Sequence, residues 1–233
     1  YPIVILVAMS GIGIFMMIAI VPKITAMFKD FQAELPLPTK LLMKFSDSLV
    51  TYGLLYLIGL VIFIIILVQF GKTSRGKYFF HGLLLKTPIF APIIKKINLA
   101  RFARTISSLL KTDIMLIKSF QITANVLGNV YYRDALNEMG DKIKKGGTIN
   151  EVIANYSQLF PPVVTQMIAV GEETGELDYI LEELAEFYEG EIDQIMNNLP
   201  AIIEPILILV LGLVVGGMAV AVIMPMYSLT SAI

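Results

Sequence analysis

An all-α membrane protein is the fold class this sequence predicts, with three transmembrane helices and one cytoplasmic antiparallel helical bundle. Three observations carry the expectation. The chain is 56% hydrophobic and only 16% charged over 233 residues, a balance that soluble domains of this length rarely show. It contains three charge-free apolar runs of about 20 residues, the length an α-helix needs to cross a hydrocarbon core. Between the second and third runs lies a polar segment rich in helix-capping residues, with no period-two alternation that would build a strand.

The first run, 3–21, is bracketed by Pro2 and Pro22 and places a transmembrane helix at 1–22. The second, 49–69, carries Tyr52 and Tyr56 near one end, where amphipathic rings favour the interface, and gives a helix at 49–70. The third reads PILILVLGLVVGGMAVAVIMPMY from Pro205, and its helix is set at 201–227. A short extracytoplasmic loop at 23–48, a helical bundle at 71–200 and an extracytoplasmic tail at 228–233 complete the chain. Orientation rests on the cations crowded between Lys72 and Arg104, which mark the bundle as cytoplasmic. In the 23–48 loop, Lys23, Lys29, Lys40 and Lys44 are interleaved with Asp30, Glu34 and Asp47. The chain opens at Tyr1 directly into an apolar run with no basic region before it, so it reads as part of a longer protein and not as a secretory signal.

Within the bundle, Asp113 is expected to N-cap a helix ending at Gly128, and Asn129 to cap the next, ending at Gly146 and Gly147. Thr148 with Glu151 has the capping-box spacing. Pro161 and Pro162 suit the first turn of a helix VVTQMIAV, with Gly171 marking its end. Leu177, Leu181, Leu184, Tyr188, Ile192, Ile195 and Leu199 recur at steps of three or four and form one apolar stripe. That helix is expected to run on into the third span, with Pro200 and Pro205 as kink sites.

The residue inventory argues against catalysis. There is no cysteine, which excludes disulfides, thiolate nucleophiles and cysteine metal sites. A net charge of −1 provides no global field for nucleic acid. Gly71-Lys72-Thr73 resembles the end of a phosphate-binding loop, but the required earlier glycine falls at Ile66, inside the second apolar run. His81 is the only histidine and has no recognisable nucleophile partner. No catalytic, cofactor-binding or metal-ligating residue is therefore assigned. Apart from Glu204 there is no intramembrane charge, which argues against a transporter, although a membrane subunit of a transporter or channel complex stands as the alternative, ahead of a membrane-embedded enzyme.

The strongest local signal is charge segregation. Residues 172–193 carry ten carboxylates, and no Lys or Arg follows Lys145. This admits a solvated helix face, a docking surface for a basic partner, or a weak divalent-cation site. The partner-interaction candidates are Glu172, Glu173, Gly175, Glu176, Glu182, Glu186 and Glu189, of which Glu182, Glu186 and Glu189 lie off the Leu181, Leu184, Tyr188 seam. Glu204, immediately before Pro205, is either an interface marker or a side chain needing a partner. Gly212 and Gly216 have the GxxxG spacing, open to packing within the chain or to helix association.

The stretches RFARTISSLL at 101–110, LFPPVVTQMIAVGEETGELDYILEELAEFYEGEI at 159–192 and IIEPILILVLGLVVGG at 202–217 together resemble the inner-membrane platform family of type II secretion systems, type IV pili and related competence machines. The resemblance covers essentially the whole chain and maps onto Phe160, Pro161, Gly171, Glu172, Thr174, Gly175, Glu176, Leu177, Glu204 and Pro205. It implies a non-enzymatic, homo-oligomeric protein of the bacterial or archaeal inner membrane, with no cofactor and no nucleic acid bound directly. Such a protein would receive motion from a hexameric cytoplasmic assembly ATPase. With other inner-membrane assembly proteins, it would feed pilin or pseudopilin subunits out of the lipid bilayer into a growing filament. Members usually carry two related cytoplasmic helical domains, and this chain resembles one lacking the first copy. It departs from the family at Asp113, where a glycine is more usual in the turn after the Leu-Leu pair.

Overall fold

A computed structural model describes residues 2–23 and 37–230, and no strand occurs among them. The chain divides into two compact units, one formed by Tyr1–Ile66 with Leu199–Ile233 and the other by Leu67–Asn198.

The first unit contains α1 (Pro2–Phe15), which continues into a π-helical turn (Met16–Ile20), most of α2 (Leu37–Lys72), and the 199–230 portion of the last helix, α9 (Leu177–Thr230). Three stretches are long and apolar enough to cross a membrane: Ile3–Lys23, Met43–Lys72, and one within Leu177–Gly217. Their large side chains point outward, with Leu54 73% and Leu213 69% exposed. Apolar surface that extensive is stable only under lipid, and the helices satisfy their own backbone there. Inside this unit the buried Ser46 hydroxyl donates to the Met17 carbonyl within the π turn at 2.5 Å.

One boundary differs from the sequence reading. Helix α2 begins at Leu37, so 37–48 is helical rather than loop; the 24–36 stretch, with Lys29, Asp30 and Glu34, and residues 231–233 lie outside the described residues. Exposed Lys40, Lys44 and Asp47 end the apolar run, but charge on a solvated helix face does not end a helix. Helix α9 runs on without interruption through Pro200 and Pro205 into the third apolar run, as its stripe predicts.

The second unit packs α3 (Ser74–Lys86), α4 (Phe90–Leu110), α5 (Leu116–Val126), α6 (Val130–Lys144), α7 (Ile149–Ile153) with a following 3-10 turn (Ala154–Tyr156), α8 (Pro162–Thr174) and the first part of α9 around one core. Phe160 is central to it, its ring 5.5 Å from Phe102 and 5.4 Å from Tyr132 in edge-to-face contacts. The buried Tyr132 hydroxyl donates to the Leu159 carbonyl at 2.7 Å, so the phenol is not left unpaired.

Local capping follows the sequence at three places. Asn129 Oδ1 accepts the Tyr131 N–H at 3.0 Å, and Thr148 Oγ1 accepts the Glu151 N–H at 3.3 Å. Gly146, at φ 81°, closes α6, with its N–H on the Ile143 carbonyl and the Gly147 N–H on the Lys142 carbonyl. The Glu151 carboxylate completes no reciprocal box and pairs with Lys142 at 3.0 Å.

Two expectations are overturned. Asp113 does not cap α5, whose N-cap is Met115 with no side-chain bond; it ends α4 instead, at φ 58°. The Asp113 N–H bonds the Leu110 carbonyl and the Ile114 N–H the Leu109 carbonyl, a pattern that requires the left-handed residue a glycine would supply. Gly171 does not end α8, which runs to Thr174 and is closed by Gly175 at φ 76°. Gly171 lies inside the helix because a Cβ there would stand 3.2 Å from the Leu177 Cα and 3.3 Å from the Ile180 Cβ, so it is a point of close helix approach.

Candidate functional site

The carboxylate-rich face of α9 is built on a seam with α4. Leu181, Leu184, Ala185 and Tyr188 are buried against a core that includes Leu99, Phe102, Ala103 and Ile106 of α4. Along the edge of the seam the charges interlock. Glu191 pairs with Lys96 at 2.6 Å, Glu189 with Arg104 through two parallel hydrogen bonds at 2.9 and 2.6 Å, and Glu182 with Lys111. Partner numbers fall on α9 as they rise on α4, so the two helices run antiparallel. The buried Ser107 hydroxyl adds a bond to the Asp178 carbonyl at 2.8 Å. Hydrogen bonding to Glu189 holds the Arg104 guanidinium above its ordinary value. All three pairs are partly exposed, so each contributes on the order of 0.2–1 kcal/mol; their geometric role is to set the register of α9 on α4.

Glu172 has a different place. Its Oε1 accepts the Ile149 N–H at 2.6 Å and its Oε2 the Asn150 N–H at 3.0 Å. With Thr148 on the Glu151 N–H, the first three amides of α7 are all satisfied. The Gly-Glu-Glu-Thr-Gly-Glu-Leu block is thus a structural joint. Gly171 admits α9, Glu172 caps α7, Gly175 turns the chain, and the Glu176 carbonyl accepts the Ile180 N–H at 3.0 Å.

The sequence candidates therefore separate into two groups. Glu172, Glu182 and Glu189 are engaged within the chain. Glu173, Glu176 and Glu186 are exposed and in no ion pair among the described residues, as is Glu183, and Tyr179 and Phe187 lie exposed among them. Glu204 and Pro205 are exposed on α9. A Cβ added at Gly212 or Gly216 would meet no described atom within 4 Å, so that face is open among the described residues.

No cluster of three or more His, Asp or Glu suited to a metal occurs among the described residues. A cleft of about 420 Å³ in the helical unit is lined by residues that include Lys86, Lys95, Tyr131 and Tyr156, with no carboxylate or histidine among them. His81 is structural: its Nδ1 accepts the Val130 N–H at 3.1 Å at the start of α6. Sequence reasoning missed the Glu172 cap and the α4 cations, because each pairs residues far apart in the chain.

Comparison with known proteins supplies the family. Residues 102–225, more than half of the chain, match the family model of type II secretion system protein F. The chain is similar to the type IV pilus assembly protein PilC of Myxococcus xanthus, 33% identical with 100% of this chain and 56% of that protein covered. It is also similar to PilC of Thermus thermophilus, 34% identical with 98% and 56% covered. Against the type II secretion system protein F of Aeromonas hydrophila it is 29% identical, with 99% and 59% covered. The chain spans a little over half the length of these relatives. With its three membrane-length helices and all-helical second unit, it belongs to the type II secretion system protein F family.

Proposed function

We propose that this protein is the inner-membrane platform of a type II secretion or type IV pilus machine. It couples a hexameric cytoplasmic assembly ATPase to polymerisation of pilin or pseudopilin, and it catalyses no reaction itself. Beyond family membership, the observation that supports this reading is the acidic face left over once Glu182, Glu189 and Glu191 are paired. Glu173, Glu176 and Glu186 supply unpaired charge, and Tyr179 and Phe187 supply exposed rings of the kind that anchor interfaces. A basic surface of the motor, or of another assembly protein, docks there, guided by complementary charge. The helical unit accordingly faces the cytoplasm, in keeping with the excess of cations after the second span. The open Gly212 and Gly216 face accommodates a neighbouring membrane helix, from a second copy or a subunit in transit.

The test is co-purification of the full-length platform with its assembly ATPase at low and high salt. Combined Glu173→Lys, Glu176→Lys and Glu186→Lys leaves every intramolecular pair intact, and is expected to weaken association by roughly tenfold at low salt and to flatten its salt dependence. Unchanged association and unchanged filament output in a folded variant would return this face to simple solvation.

A further inference from the structure

Helix α3 leaves the second span with almost no slack. Only Thr73 separates Lys72, the last residue of α2, from Ser74, the first of α3. The joint is closed: Thr73 Oγ1 donates to the Phe70 carbonyl at 2.6 Å and accepts the Gly76 N–H at 3.0 Å. Gly76 lies so close beneath Phe70 that a Cβ would stand 1.8 Å from its carbonyl oxygen. The Phe70 ring packs edge-on against Phe79 and Phe80, at 6.4 and 5.9 Å. A helix tied in this way to the final turn of a membrane-length helix begins at the level of the lipid headgroups.

One face of α3 is occupied. Tyr78 donates to Asp134 at 2.7 Å, Tyr131 donates to the Tyr78 carbonyl at 3.2 Å, and His81 accepts from Val130, which together dock α3 on α6. The other face carries an apolar ridge that the described residues leave more than half exposed. Phe79 is 60% and Leu83 55% exposed, and just beyond the helix Ile89 is 71% and Phe90 52% exposed. At 100° per residue, Arg75 and Lys86 fall on one flank of the Phe79 and Leu83 ridge, whereas Lys77 falls on the His81 side of the helix. All three cations are exposed, and none is in an ion pair among the described residues. An apolar ridge bordered by the cations Arg75 and Lys86 is the pattern of a helix lying in an anionic membrane interface, with rings in the acyl boundary and charges among phosphates.

We infer that the Phe79 and Leu83 face of α3, with Ile89 and Phe90, binds the anionic leaflet surface beside the second span and holds the helical unit against the bilayer. Continuity with the span selects lipid as the occupant, and the unpaired cations select anionic headgroups. This inference requires only that the chain cross a membrane and is independent of the platform reading.

The absence of native cysteine allows a clean test in the full chain reconstituted into lipid nanodiscs. Single cysteines replace Phe79, Leu83 or, as exposed references, Gln121 and Ser157, and carry an environment-sensitive fluorophore. Nitroxides attached near the headgroup of the lipid report contact. Labels at 79 and 83 are expected to be blue-shifted and quenched by the nitroxide lipid, more strongly with phosphatidylglycerol than with phosphatidylcholine alone, while 121 and 157 stay in water. Combined Arg75→Gln and Lys86→Gln is expected to lower the docked-to-undocked ratio by roughly fivefold per cation removed. Should a cysteine at Phe79 impair folding, Leu83 carries the test alone. Water-like emission at both sites overturns the inference. Blue-shifted emission without lipid quenching overturns it too, since the occupant is then protein. Quenching indifferent to anionic lipid in both the parent and the charge variant removes the anionic leaflet as the ligand.

Discussion

Glu172 accepts the backbone N–H of Ile149 at 2.6 Å across 23 residues of sequence, and its second oxygen takes the Asn150 N–H. A carboxylate from the end of α8 therefore caps the start of α7. Replacing Glu172 with alanine leaves two amide donors without acceptors and is expected to cost about 1–3 kcal/mol. Glu172→Gln, which keeps one acceptor oxygen, should cost less, and Glu173→Ala at an exposed neighbour should fall within about 0.5 kcal/mol. Denaturation of the reconstituted chain followed by circular dichroism ranks the three. Equal effects of Glu172→Ala and Glu173→Ala would remove the cap from the account.

Asp113 holds a left-handed backbone at φ 58°, which an L side chain adopts at a cost of about 1 kcal/mol. Asp113→Gly is expected to stabilise the helical unit by about that amount, and Asp113→Val to destabilise it, because β-branching worsens the same clash. Thermal midpoints of the two variants moving in the same direction would contradict the geometry.

Gly76 and Gly190 both lie in helices, but their surroundings are opposite. A Cβ at Gly76 would overlap the Phe70 carbonyl, whereas one at Gly190 would meet nothing within 4 Å. Gly190→Ala is expected to gain about 0.5–1 kcal/mol from the backbone alone. Gly76→Ala should lose on the order of 3 kcal/mol through overpacking, and with it the fixed exit of α3 from α2. Proteolysis near Thr73 should increase in the second variant only.

Burial, and then the charges of Lys77 and Arg133, lower the His81 pKa from its ordinary 6.5. The folded state thus favours the neutral ring, whose Nδ1 accepts from Val130. Stability from this site is fully present above the unfolded value near 6.5 and is lost as pH falls through the lowered folded value. The parent should therefore soften on going from neutral to mildly acidic pH. His81→Gln, which does not titrate, should show a flatter profile over the same range. Identical profiles would place the acid sensitivity elsewhere.

Orientation is checked with single cysteines at Ser157 and Ser228 in intact cells. An impermeant thiol reagent applied outside is expected to reach residue 228 and spare 157, as the positive-inside bias requires. The reverse pattern would invert the topology.

The chain's own sequence determined what depends on nearest neighbours and on solvent. Three apolar runs specify membrane helices because transfer to lipid is summed over about 20 consecutive side chains, whatever the rest of the chain does. Asn129, Thr148 and Gly146 act on amides within five residues, so their capping roles were legible, as was the Leu177 to Tyr188 stripe. Tertiary structure decided everything that joins distant segments. Ten carboxylates in a row look alike until α4 brings Lys96, Arg104 and Lys111 to three of them, which separates paired from unpaired acids. Gly171 reads as a helix end until the approach of α9 shows that it is needed for space. Asp113 reads as a cap for the helix ahead, yet it closes the helix behind, because satisfying the carbonyls of Leu109 and Leu110 outweighs its side-chain preference. Glu172 reads as surface charge, but the fold sets it on two amides at the start of α7.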